Sequence, residues 1–158
     1  MNVDKEWPTR KYHRIAGKNY SHNGAYFLTI CTKDRHELFG EINGDEMVLS
    51  EIGKIVQAHL CDIEQVYTSV VMDSFVIMPN HVHMLLHLIN NETNPSVSRV
   101  IQQWKGAISK QAKAPLWQEK FHDRVVDTAD EYRTIQQYIR ENPMRWEDDV
   151  LRPLAESA

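Results

Sequence analysis

Long apolar runs are absent from this chain. No stretch approaches the roughly 20 apolar residues that a membrane-spanning helix needs. The N-terminal stretch MNVDKEWPTRKYHR also lacks the apolar segment of a secretory signal peptide. We therefore expect a cytoplasmic protein without a membrane partner.

Cysteine is scarce: the chain has only Cys31 and Cys61, far apart and without a C-x-x-C spacing. Disulfide-rich domains and small zinc-binding domains need more cysteines at close spacing, so both classes are excluded. We predict that both side chains are buried, reduced thiols. Repeats and low-complexity segments are also absent, and 158 residues fit one ordinary domain. We predict a single domain over residues 1–158, with a basic N-terminal segment over residues 1–24.

The charge is unevenly distributed around a formal net value of −4. Residues 1–20 carry five Lys or Arg against two acids, and residues 96–118 carry four basic residues and no acid. Basic patches on an acidic body would let a nucleic acid bind at one place and be repelled elsewhere. Ordinary solvated helix faces would explain the same charges, so the pattern leaves both interpretations open.

Strand and helix patterns alternate along the chain. β-branched and aromatic residues predict strands over residues 25–32, 69–78 and 81–89, the last two joined by a tight turn at Pro79 and Asn80. Apolar residues at helical spacing predict helices from Ser50 to about Tyr67 and over residues 96–113. A short strand near residue 126 and a last helix, capped by Thr128 and ending near Asn142, complete the pattern. This order predicts an α+β fold, an antiparallel sheet with helices packed mainly on one face.

The segment MPNHVHML, residues 78–85, places two histidines two positions apart in a predicted strand. Side chains alternate across a strand, so His81 and His83 share one face, roughly 7 Å apart at Cα, while the other face is wholly apolar. From this separation both imidazoles can converge on one cation. A buried structural role for the two rings is the alternative.

A third metal ligand has to come from elsewhere, and no histidine or cysteine is placed to complete a zinc-type site. Tyr138 and Asn142 lie four residues apart in the last predicted helix, on the same face. The Asn142 amide oxygen would suit Mg²⁺ or Mn²⁺, and the Tyr138 phenol could act as a nucleophile. Alternatively, Tyr138 is a packing residue and Asn142 with Pro143 only ends the helix.

Several blocks of this sequence together resemble a known family. MPNHVH followed by YIRENP, with GAYFLTICT, LFGEI, SEIGKIV and LWQEKFHDRVV, is similar to the REP-associated tyrosine transposases, relatives of the single-tyrosine HUH transposases of insertion sequences. The resemblance covers nearly the whole chain. It implies a ferredoxin-like fold, with His81, His83 and Asn142 as metal ligands and Tyr138 as the nucleophile.

The resemblance also implies the activity. Tyr138 would cleave single-stranded DNA beside hairpins and form a 5′-phosphotyrosine, with Mg²⁺ or Mn²⁺ as cofactor, and a free 3′-OH could later reverse the step. The expected partner is single-stranded or hairpin DNA, including REP-like palindromes, and the chain would act as a monomer or homodimer. A DNA-hairpin-binding protein with vestigial nuclease activity, or a hydrolase with water as nucleophile, are the alternatives.

Basic grooves and aromatic platforms suit single-stranded DNA. Surface charge or ordinary packing would explain each candidate residue equally well. The candidates for DNA contact are Arg10, Lys11, Arg14, Lys105, Lys110, Trp117 and His122.

Overall fold

The computed structural model describes residues 23–89 and 96–153, so the predicted DNA contacts Arg10, Lys11 and Arg14 lie outside the described residues. The strands are β1 (Gly24–Cys31), β2 (Gly40–Asn43), β3 (Glu46–Leu49), β4 (Val70–Met78), β5 (His81–Leu88) and β6 (His122–Val126). The α-helices are α1 (Glu51–Cys61), α2 (Ile63–Val66), α3 (Val97–Ala112) and α4 (Ala129–Glu141). Short 3₁₀ helices cover Lys33–Arg35 and Asn142–Asp148.

Four strands form one antiparallel sheet in the order β4-β5-β1-β6, while β2 and β3 form a separate hairpin. The strand carrying both histidines, β5, is central and pairs with β4 on one side and β1 on the other. Strand β6 pairs with the far edge of β1. This is the ferredoxin-like arrangement, and it confirms the predicted α+β class.

The sheet is covered on both faces. Val82, Met84, Leu86 and Leu88 of β5 lie in the main core together with buried residues of α1 and α3. On the opposite face, Leu85 packs in a second cluster against α4. Two long helices therefore lie on one face, as predicted, and α4 closes the histidine face.

Local signals in the sequence set several of the element ends. The Ser50 hydroxyl accepts a hydrogen bond from the Gly53 N–H at 3.0 Å, and the Thr128 hydroxyl accepts one from the Glu131 N–H at 3.1 Å. The Thr128-x-x-Glu131 spacing is that of a capping box, but only the Thr128 half forms, because the Glu131 carboxylate bonds to Arg124 at 2.7 Å. Helix α4 ends at Glu141, and the chain then tightens into a 3₁₀ helix.

The prediction that both cysteines are buried is wrong for one of them. Cys31 is buried in β1, but Cys61 is exposed. The buried stripe of α1 runs through Val56 and Leu60, and the next residue along a helix turns about 100° away from such a stripe. No helix in the described ranges is long and apolar enough to cross a membrane.

Two helical glycines differ in the space around them and predict opposite effects of alanine. A Cβ at Gly53 would lie 2.1 Å from the Phe39 carbonyl oxygen, whereas a Cβ at Gly106 would meet nothing within 4 Å. We expect Gly53→Ala to lower the free energy of unfolding by roughly 1–3 kcal/mol through overpacking. Gly106→Ala should raise it by about 0.5–1 kcal/mol, because alanine favours the helix. Urea unfolding measures the free energy of unfolding of both variants. Equal effects of the two substitutions would contradict the predicted clash between a Cβ at Gly53 and the Phe39 carbonyl oxygen.

Candidate functional site

The two histidines of β5 meet beneath α4. Their ring centroids are 4.7 Å apart, and His81 is 0% exposed and His83 is 3% exposed. Phe27 of β1 stacks on the His83 ring with a centroid separation of 5.1 Å. The alternation of the strand therefore buries both rings side by side, on the face opposite the main core.

Each ring is held through its Nδ1 atom. His81 Nδ1 lies 2.7 Å from Asn80 Oδ1, and His83 Nδ1 lies 2.9 Å from Thr29 Oγ1. Within the described ranges, both Nε2 atoms are buried and have no hydrogen-bond partner. This arrangement fixes the ring orientations and leaves the Nε2 atoms available for a ligand, as second-shell partners do in metal sites.

Burial keeps both rings uncharged. It lowers the pKa of His81 to about 2, with the neighbouring charges of His83 and Arg35 adding to the effect while contact with Asn142 opposes it. Burial also lowers the pKa of His83 to about 4, against a hydrogen bond to the Leu28 backbone. At neutral pH both imidazoles are therefore in the neutral form that binds metal ions.

Tyr138 of α4 lies against this pair. Its ring meets the His83 ring edge-on, with a centroid separation of 5.3 Å, and 39% of the residue is exposed. Burial raises the pKa of its phenol, contact with Asn142 lowers it, and the Asp149 charge raises it. The phenol is therefore protonated at neutral pH, next to the buried histidines and open to solvent.

Asn142 follows α4 directly, one turn beyond Tyr138, and is 1% exposed. Its Oδ1 atom is buried without a hydrogen-bond partner in the part of the chain that is described. The side chain is near enough to His81 and Tyr138 to shift the pKa of each. The structure thus brings together all four residues that the sequence selected for the chemistry.

Three unpartnered acceptors, two imidazole nitrogens and one amide oxygen, fit a divalent cation. No three His, Cys, Asp or Glu side chains within residues 23–89 and 96–153 are arranged to hold a metal ion, so the amide of Asn142 would have to take part. A buried acceptor without a partner costs free energy, which a bound cation would offset. Mixed nitrogen and oxygen donors suit Mg²⁺ or Mn²⁺.

Sequence reasoning missed two residues of the site. Asn80 was assigned only to the turn, yet its amide orients His81. Asp149 was not selected at all, although its Oδ2 atom lies 3.7 Å from His81 Nε2 and its side chain is 3% exposed. Burial raises the pKa of Asp149, while the Leu151 N–H lowers it. The run of acids at residues 147–149 contains no signal that singles out its last member.

The structure separates the residues predicted to contact DNA. Lys110 and His122 are exposed. Lys105 is buried, and its ammonium donates to the carbonyl oxygens of Gln118 at 2.7 Å and Glu119 at 3.3 Å. An exposed basic face that includes Lys105 is therefore not formed, because the side chain folds inward to anchor the segment that follows α3.

Trp117 lies at the edge of the core. Its ring is 5.3 Å from that of Phe39 and 5.4 Å from that of Trp104. The Trp117 ring therefore packs against two aromatic rings of the core. DNA contact by Trp117, Lys110 and His122 stays a prediction.

The two lysines of α3 predict different effects of alanine on stability. Lys105→Ala should lower the free energy of unfolding by roughly 1–3 kcal/mol, because two carbonyl oxygens lose a charged donor. Lys110→Ala should change it by less than about 0.5 kcal/mol, because that side chain is exposed. Urea unfolding distinguishes them; a Lys105→Ala protein as stable as Lys110→Ala would contradict the anchoring role.

Comparison with known proteins shows which family this chain belongs to. The family model described as "Transposase IS200 like" matches residues 20–142. A protein of uncharacterised function from Haemophilus influenzae is 28% identical, over 90% of this chain and 92% of its own length.

Two solved structures share the fold. A REP-associated tyrosine transposase bound to a REP hairpin matches with a TM-score of 0.63 and 17% identity, over 87% of this chain and 73% of that one. A transposase candidate from Deinococcus radiodurans matches with a TM-score of 0.52 and 21% identity, over 80% of this chain and 96% of that one. Since the family match spans most of the sequence, and both histidines, the tyrosine and the asparagine lie within it, the chain belongs to the IS200-like transposase family.

Proposed function

We propose that this chain is a metal-dependent endonuclease and strand transferase that cleaves and rejoins single-stranded DNA beside hairpins. The observation that carries the proposal is the convergence of Tyr138 and Asn142, one helical turn apart, on the buried pair His81 and His83. The three unpartnered acceptors can bind a cation. The partly exposed phenol beside them can act as the nucleophile.

Hairpin DNA is the proposed partner for two reasons. The fold is similar to that of a transposase whose structure contains a REP hairpin. The side chain of Tyr138 is also partly exposed, while the histidines behind it are buried. A flexible single strand can bend one phosphate into such a recess more easily than a stiff duplex can.

His81, His83 and Asn142 would hold Mg²⁺ or Mn²⁺, which when bound supplies positive charge that offsets the charge developing on the phosphate. The Tyr138 oxygen attacks phosphorus: the Oη–P bond forms and the bond from phosphorus to the 3′ oxygen breaks. The phenol gives up its proton to water, and the leaving 3′ oxygen takes up a proton from water. The products are a 5′-phosphotyrosine and a free 3′-OH. Attack by a second 3′-OH reverses the step and releases Tyr138.

One copy of the chain supplies every proposed group. Tyr138 lies beside His83 of the same chain, at a ring separation of 5.3 Å. A monomer can therefore carry out cleavage without a residue from a second copy, and a homodimer is not needed to complete the site.

Removal of one hydroxyl tests the nucleophile. Tyr138→Phe should reduce cleavage of a single-stranded hairpin substrate with Mn²⁺ by at least about 10³-fold, as expected when a covalent nucleophile is lost. It should also abolish the covalent protein–DNA band on a denaturing gel, while the melting temperature and hairpin binding change little. Tyr67→Phe is the matched control, because that phenol bonds to Gln103 and its ring packs against the main core, on the other face of the sheet.

Other outcomes of this experiment would favour the other functions. Near-normal cleavage by Tyr138→Phe, without a covalent band in either protein, would indicate water as the nucleophile. A wild-type protein that binds hairpins tightly, yet neither cleaves with Mn²⁺ or Mg²⁺ nor responds to EDTA, would be a hairpin-binding protein with vestigial activity.

Lys110 is the exposed lysine of α3 that sequence reasoning assigned to DNA. If it contacts a phosphate, Lys110→Ala should weaken binding and make the slope of log affinity against log salt shallower by about 0.7. The cleavage rate at saturating DNA should hold, because this residue lies outside the site. Fluorescence anisotropy across a salt series measures the slope, and a slope equal to that of wild type would exclude the contact.

A further inference from the structure

Asp149 places a buried carboxylate beside the histidine pair. It follows the 3₁₀ helix Asn142–Asp148, and its side chain is 3% exposed. One oxygen, Oδ1, accepts a hydrogen bond from the Leu151 N–H at 2.9 Å. The other, Oδ2, is buried without a hydrogen-bond partner in the described segments and lies 3.7 Å from His81 Nε2. The backbone bond therefore aims the unpartnered oxygen at the histidine.

The hydrogen bonds of Asn80 show which nitrogen of His81 carries hydrogen. The Asn80 Nδ2 group donates to the carbonyl oxygens of Arg35 at 3.2 Å and Leu151 at 2.7 Å. Its Oδ1 atom must then face His81 and accept from Nδ1 at 2.7 Å. In the neutral ring, Nε2 therefore carries a lone pair rather than a hydrogen.

Two acceptors thus face each other inside the protein with no donor between them. A hydrogen bond between them would need a proton on Nε2 and a separation shorter than 3.7 Å. Within the described residues five buried side-chain acceptors lack a partner, and four of them belong to this site. The four are His81 Nε2, His83 Nε2, Asn142 Oδ1 and Asp149 Oδ2.

We propose that Asp149 is a fourth protein ligand of the divalent cation, supplied by the segment that follows α4. The inference rests on the proposed function and extends it, since it adds a negative charge to an otherwise neutral donor set. In the described residues His81, His83 and Asp149 are not already arranged around a metal position. Neighbouring ligands around an octahedral Mg²⁺ are about 3 Å apart, so the Asp149 carboxylate, now 3.7 Å from His81 Nε2, has to move closer when the cation binds. Two nitrogens and two oxygens favour Mg²⁺ and Mn²⁺ and leave further positions for phosphate oxygens.

Metal titration of the DNA-free, full-length protein tests this ligand. Mn²⁺ affinity, measured by electron paramagnetic resonance, should fall by at least about 10-fold in Asp149→Asn. Asp148→Asn is the matched control, because it removes the same charge from an exposed neighbouring position. Its Mn²⁺ affinity should stay within about twofold of wild type, as expected for an exposed position.

His81→Ala in the same titration separates failure of the ligand from failure of the site. Mn²⁺ binding that is lost in His81→Ala but unchanged in Asp149→Asn would overturn the role of Asp149 alone. An equal loss in Asp149→Asn and Asp148→Asn would overturn it as well, because a general charge effect would then suffice. If wild type binds no Mn²⁺, or His81→Ala binds it normally, the proposed metal site falls together with this inference.

A second variant covers the case in which Asp149→Asn is poorly folded. Asp149→Cys should gain a thiolate–Cd²⁺ absorbance in the ultraviolet, relative to wild type with its own two cysteines. Asp148→Cys is the control, because it shows how much Cd²⁺ absorbance an added thiol gives at an exposed position. A folded Asp149→Cys protein whose Cd²⁺ spectrum equals that of Asp148→Cys would overturn the proposal.

Discussion

The site depends on the fully bonded side chain of Asn80. This residue is 0% exposed, and its amide joins the carbonyl oxygens of Arg35 and Leu151 to the ring of His81. Three segments that are distant in sequence, the 3₁₀ helix after β1, the β4–β5 turn and the residues that follow the second 3₁₀ helix, therefore meet at one group. Because the buried amide loses a hydrogen bond if any of these segments moves away, the orientation of His81 and the position of Asp149 are stabilised together.

Burial of two imidazoles beneath α4 is unfavourable by itself and favourable for binding a cation. The same desolvation that lowers the pKa of His81 to about 2 and that of His83 to about 4 keeps both lone pairs free of protons. Among the described residues, four unpartnered acceptors remain together on the face of the sheet opposite the main apolar core. Such local departures from good packing concentrate where a protein binds or reacts, and well-packed elements elsewhere compensate for them.

The charges around the site also restrict how DNA can approach. A cavity of about 540 Å³ lies between the β2–β3 hairpin and the 3₁₀ helix that follows α4, and five of its eleven lining residues are acids, against one arginine, Arg152. These acids are Glu37, Glu41, Asp45, Glu147 and Asp148. Their charges repel a phosphate backbone, so the side of the site at this cavity is unfavourable for DNA. Tyr138, which is 39% exposed, offers the phenol on the surface of α4.

Spacing in the sequence determined that His81 and His83 share a face of one strand and that Asn142 lies one helical turn beyond Tyr138, because backbone periodicity alone decides this. The antiparallel α+β class followed from the order of the patterns. Tertiary structure decided the rest: Lys105 turns inward, Cys61 turns outward, and Asp149 rather than Asp148 faces His81. Asp149 and His81 are 68 positions apart. Their contact depends on how α4 packs on the sheet and on the bond between Leu151 and Asn80, neither of which local propensity encodes.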